Sequence, residues 1–64
     1  MFGQTLIKEL RRIGMSITEF ANKMDVSAKT VYTWINGKNN PYLYNLKKMA
    51  KIFGCDLDSL LKLF

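Results

Sequence analysis

Lys29, Tyr32 and Thr33 lie on one side of a short segment whose other side is Val31, Trp34 and Ile35. At helical spacing the first set faces outward and the second inward, with Ala28 and Asn36 extending the outward face. A lysine ammonium is a donor with no acceptor capacity. It suits paired acceptors such as the O6 and N7 atoms of guanine in a DNA major groove. A threonine offers a hydroxyl to several bases, and its methyl, like that of Ala28, suits the methyl of thymine. Ala28, Lys29, Tyr32 and Thr33 are therefore the expected base-reading residues. Trp34, at helical spacing from Val31, is expected in the core rather than as a stacking platform.

A second set of polar residues flanks the first. Ser27, Thr30 and Asn36 border the reading segment, and Lys38, Asn39 and Asn40 make a loop free of negative charge. These six are the expected phosphate contacts, because most protein–DNA hydrogen bonds go to phosphate and sugar. Tyr32, Tyr42 and Tyr44 each sit off an apolar stripe, where a phenol can also donate to phosphate.

Positioning such a face requires a short, well-ended helix. Ser16 and Glu19 form an S-x-x-E capping box, and Ser27 repeats the cap eleven residues later. The gap between them permits only a turn, and Asn36-Gly37 supplies a stop. Two short helices joined this way, over about 16–38, make a helix-turn-helix unit whose second helix enters the major groove.

The remainder is also helical. Residues 3–13 place Phe2, Leu6, Leu10 and Ile13 on one face, with Ile7 beside them. Residues 17–24 offer Ile17, Phe20, Ala21 and Met24, and residues 28–36 offer Val31, Trp34 and Ile35. A fourth helix is expected to open at Asn40 or Tyr42 with Pro41 in its first turn, burying Leu43, Leu46, Met49, Ala50 and Phe53. A fifth follows the cap Asp56, with Leu57, Leu60, Leu61 and Phe64 as its stripe. Gly14, Gly37 and Gly54 each follow an amphipathic run as helix closers. No stretch alternates with period two, so the expected class is all-α.

At 64 residues the chain is one small domain, residues 1–64, too small for a large enclosed catalytic site. Histidine is absent and Cys55 stands alone, which excludes a disulfide and a cysteine zinc cluster. Cys55 is expected as a small apolar filler. With no nucleophile beside a base and no phosphate-binding loop, neither an enzyme nor a cofactor or metal protein is expected. The first residues do not resemble a signal peptide, and no apolar run is long enough to span a membrane. A cytoplasmic location is the expectation. The net charge is +5, and residues 23–51 hold six lysines against Asp25 alone. That excess coincides with the reading segment, as an electrostatic footprint for DNA should.

From Leu6 to Leu61 the chain resembles the Cro and phage-repressor type of helix-turn-helix domain. The matching pieces are M-S-x-x-E-F-A at 15–21, V-S-x-x-T-V at 26–31, W-x-N-G-K at 34–38, P-x-L-x-x-L-x-K-M-A-K at 41–51 and G-C-D-L-D-S-L-L at 54–61. The resemblance implies a compact five-helix, lambda-repressor-like domain that binds double-stranded operator DNA as a dimer and regulates transcription. It also implies a nucleoid-associated protein of bacterial or phage origin with no small-molecule ligand. Two positions depart from the family pattern. Ile17 stands where relatives often have a phosphate-anchoring glutamine, and Asp25 stands where the turn commonly has glycine.

The apolar C-terminus carries five apolar residues in its last eight positions. A two-fold homodimer through Leu57, Leu60, Leu63 and Phe64 is the expected assembly. The rival reading is an antitoxin or anti-repressor module acting mainly through a protein partner. A concentration of lysine in residues 23–51 argues against it.

Overall fold

The computed structural model describes residues 2–63, which form five helices and no strand. They are α1 (Phe2–Ile13), α2 (Ile17–Met24), α3 (Ala28–Ile35), α4 (Leu43–Phe53) and α5 (Leu57–Leu63). The expected all-α class and its order of elements are those observed.

Local chemistry starts and stops these helices. Ser16 Oγ accepts from the Glu19 amide at 3.1 Å, while Glu19 Oε1 accepts from the Ser16 amide at 3.1 Å, completing the capping box. Ser27 Oγ accepts from the Thr30 amide at 3.1 Å, and Asp56 Oδ1 from the Ser59 amide at 2.7 Å. Between α2 and α3, Asp25 adopts the left-handed region at φ 59° and ψ 43°. The turn that commonly takes glycine thus forms around an aspartate, one of the few residues that tolerate this conformation.

One cluster forms the core. Leu6 and Leu10 of α1, Phe20 and Met24 of α2, Val31 and Trp34 of α3, Met49 and Phe53 of α4 and Leu60 of α5 are all buried. Phe20 and Phe53 stack with ring centroids 5.7 Å apart. Two long side chains tie helix ends together across the fold. Lys48 Nζ donates to the Met24 carbonyl at 3.2 Å, at the end of α2, and Arg12 Nη2 donates to the Phe53 carbonyl at 3.4 Å, at the end of α4. Free carbonyls at a helix C-terminus favour a cation there. Cys55 is half-buried against the core, with its amide donating to the Ala50 carbonyl at 2.9 Å.

Several expectations require correction. Pro41 lies outside α4, not in its first turn, because Tyr42 is extended at φ −71° and ψ 164° and the helix opens only at Leu43. The buried arc of α4 runs through Asn45, Met49, Ala50 and Phe53. Leu43 sits at the margin of that arc and is 56% exposed, not buried. On α5, Leu60 takes the buried position, and Leu61, about 100° further round the helix, is exposed rather than in the core. Leu60, expected at the dimer interface, is fully buried within the single chain, so it is not available to a partner surface. Asn36 lies just beyond α3 rather than within it, as the cap residue. Ile13, Ile17, Ile35 and Leu46 are only half-buried. Phe64, expected in the stripe and the interface, lies outside the described residues.

Candidate nucleic-acid interface

The α3 helix turns Val31 and Trp34 into the core and leaves Lys29 and Tyr32 exposed, with Ala28 and Thr33 half-buried beside them. The four expected base-reading residues thus share the side away from the core. The Lys29 ammonium makes no ion pair or hydrogen bond with any described residue, which leaves all its donors available. Thr33 is different. Its hydroxyl donates to the Thr30 carbonyl at 2.6 Å, a back-bond common for threonine in helices. The oxygen can still accept, so Thr33 offers an acceptor and a methyl rather than a free donor.

The flanking residues are partly committed to one another. Ser27 Oγ and Thr30 Oγ1 lie 3.0 Å apart and share one hydrogen bond, which leaves one of their two hydroxyl protons for an outside acceptor. Asn36 Oδ1 accepts from the Lys38 amide at 3.1 Å, so the Asn36 side-chain NH2 group is left as a donor. The amides of Lys38 and Asn39 both donate to the Thr33 carbonyl, at 2.9 and 3.1 Å. These bonds pin the loop to the end of α3 and leave the side chains of Lys38, Asn39 and Asn40 exposed. Gly37 closes the helix at φ 78°, a conformation that a side chain would strain.

The loop and the start of α4 stand beside α3 and enclose a cleft of about 540 Å³. Lys29, Thr30 and Thr33 line one wall, and Asn39, Asn40 and Tyr44 line the other. No carboxylate lines it. Tyr42 and Tyr44 meet edge to face with centroids 5.8 Å apart. Asn45, in the cleft wall, is buried. Sequence reasoning missed it, since a polar residue between Tyr44 and Leu46 reads as a solvent position.

Ile17 cannot supply the side-chain contact made by the glutamine often found in relatives, but the α2 start retains its backbone amides. Glu19 sits there as the capping carboxylate, its pKa lowered by the Ser16 amide it accepts from and by the Ser16 side chain. Asp56 is lowered in the same way by Ser59 at the start of α5. Among the described residues no group of three or more His, Cys, Asp or Glu could hold a metal ion. No helix is long and apolar enough to cross a membrane.

A family model described as helix-turn-helix matches residues 7–60, most of the chain. No curated protein and no solved structure gives a significant match.

Proposed function

The chain belongs to the helix-turn-helix family of the Cro and phage-repressor type and is a DNA-binding regulator of transcription, and we propose that it is a Cro-like repressor reading a palindromic operator. In this reading α3 lies in the major groove, with Lys29 donating to guanine and Ala28, Tyr32 and Thr33 completing the base contacts. Ser27, Thr30, Asn36, Lys38, Asn39 and Asn40 hold the sugar-phosphate backbone. The observation that carries it is the unpaired Lys29 on the exposed side of α3, beside a cleft without carboxylates.

The operator is read by a homodimer. Leu61 and Leu63 are 49% and 47% exposed, and Leu61 borders a shallow apolar groove with Phe2, Pro41 and Leu46. Leu57 is half-buried at the same helix. Pairing two such faces about a two-fold axis presents two reading helices to half-sites one turn, about 34 Å, apart.

Selection of bound sites from random duplexes tests the proposal. The expected product is an inverted repeat with half-sites one turn apart. An asymmetric motif, or none, overturns the palindromic reading. The same exposed leucines are what an antitoxin or anti-repressor would offer a protein partner. Salt separates the two. Contact with several phosphates makes duplex affinity fall steeply between about 50 and 200 mM salt, whereas the partner-binding reading expects no duplex affinity even at low salt.

A further inference from the structure

Of the six lysines between residues 23 and 51, one is engaged within the fold. Lys48 Nζ donates to the Met24 carbonyl at 3.2 Å. The ammonium groups of Lys23, Lys29, Lys38, Lys47 and Lys51 make no hydrogen bond to a described residue.

The bond falls where the backbone offers no substitute. Met24 is the last residue of α2, and its carbonyl accepts from no main-chain amide of the described residues. The carbonyls of Ala21 and Asn22 accept from the Asp25 amide, and that of Ala21 also accepts from Val26. Met24 is 0% exposed, so water does not reach its carbonyl oxygen. A buried carbonyl without a donor is unfavourable, and Lys48 is the donor. The helix dipole also favours a cation at this end of α2.

The next residue gives the bond a reach beyond α2. Asp25, at φ 59°, is the sole non-glycine residue with positive φ among the described residues. That region is costly for a residue with a β-carbon, though less so for aspartate, so contacts from outside help to hold the turn. The turn runs from Met24 to the Ser27 cap, and its shape sets the angle between α2 and α3. Lys48 grips it from α4, 24 residues along the chain from Met24.

We propose that Lys48 is a positioning residue for DNA recognition, its ammonium fixing the α2–α3 turn through the Met24 carbonyl and touching no phosphate. This rests on the reading in which α3 enters the major groove, and it removes one lysine from the charge that faces DNA. Base contacts demand close placement of the helix, whereas ionic phosphate contacts tolerate displacement. Loss of Lys48 therefore weakens binding more at the selected operator than on unrelated duplex. The slope of log affinity against log salt stays that of the parent, because no phosphate contact is lost.

Two substitutions test the assignment, since Lys48→Met keeps an apolar stem without a donor and Lys48→Arg keeps both donor and charge. Lys48→Met is expected to bind the selected operator roughly tenfold more weakly, the scale of one lost bond to a charged group, with the parental salt slope. Hydrogen exchange of the Asp25 and Val26 amides speeds up, while that of the α1 amides does not. Lys48→Arg restores both affinity and slow exchange at the turn. A salt slope lowered by about 1 in Lys48→Met, parental exchange at the turn, or a Lys48→Arg variant no better than Lys48→Met overturns the proposal and leaves duplex binding intact. A parent protein without duplex affinity at low salt overturns the underlying reading instead. Should Lys48→Met not fold, the lysine ammonium resonances of the unmodified protein decide. That of Lys48 stays in place on adding operator while that of Lys38 moves, and a Lys48 resonance that moves as far as that of Lys38 overturns the proposal.

Discussion

A β-carbon on Gly3 would overlap the carbonyl oxygen of Ile35, so the first turn of α1 meets the end of α3 backbone to backbone. Replacing a helical glycine by alanine ordinarily stabilises by roughly 1 kcal/mol. Here the added methyl meets backbone rather than a flexible side chain, and overpacking of this kind costs about 1–3 kcal/mol. Gly3→Ala is therefore expected to lower the urea midpoint, while Gln4→Ala, exposed one residue further on, leaves it near that of the parent protein. A Gly3→Ala variant at least as stable as the parent would show that the two helices can part at no cost.

Lys29 and Lys38 are expected to fail in different ways. Lys29→Ala loses ~1–3 kcal/mol at the selected site and relaxes preference at one base pair, whereas Lys38→Ala weakens every duplex about equally and lowers the salt slope by about 1. Binding measured on the selected site, on single-base variants and over a salt series separates them. Indistinguishable mutants would erase the division between reading and anchoring residues.

Acid is expected to loosen the caps of α2 and α5. The pKa values of Glu19 and Asp56 are lowered in the folded state by the amides they accept from. Their contribution to stability is complete above the ordinary carboxylate range, and it is lost as pH falls through about 4 and below. Thermal midpoints should be flat near neutrality and decline in acid. Glu19→Gln with Asp56→Asn keeps cap hydrogen bonds that do not titrate, so its decline should be shallower. An unchanged acid profile in the double variant would assign the effect to other carboxylates.

Leu63→Lys places a charge on the exposed side of α5 without touching the buried Leu60. Sedimentation at micromolar concentration should show a dimer for the parent chain and a monomer for the variant, with the thermal midpoint of the folded monomer little changed. A parent chain that sediments as a monomer overturns the homodimer, and a variant that still pairs moves the two-fold contact elsewhere.

Five helices and the starts of α2, α3 and α5 were legible because they follow local rules: Ser16 with Glu19, Ser27 and Asp56 each sit one residue before a helix, and each caps it as observed. The outward side of α3 was legible from the positions of Val31 and Trp34. Four features were not, for separable reasons. Gly3 carries no periodic signal, and its role appears only where two helices meet. Leu60 and Leu61 both continue the stripe of Leu57, and tertiary packing alone decides which is buried. Asn45 and Leu43 exchange the places that polarity would assign them, because α4 opens only after Pro41 and Tyr42. The hydroxyl of Thr33 also reads from sequence as a free donor, although the carbonyl of Thr30 takes its proton.

Trp34 is the chain's sole tryptophan, and it lies on α3 with its side chain almost wholly shielded from water. The molecule therefore carries its own optical gauge at the place of interest. Emission from this one ring should be blue-shifted while the rod is seated and redden as it lifts. Seating, displacement and unfolding of that rod can thus be followed by light, with no dye attached.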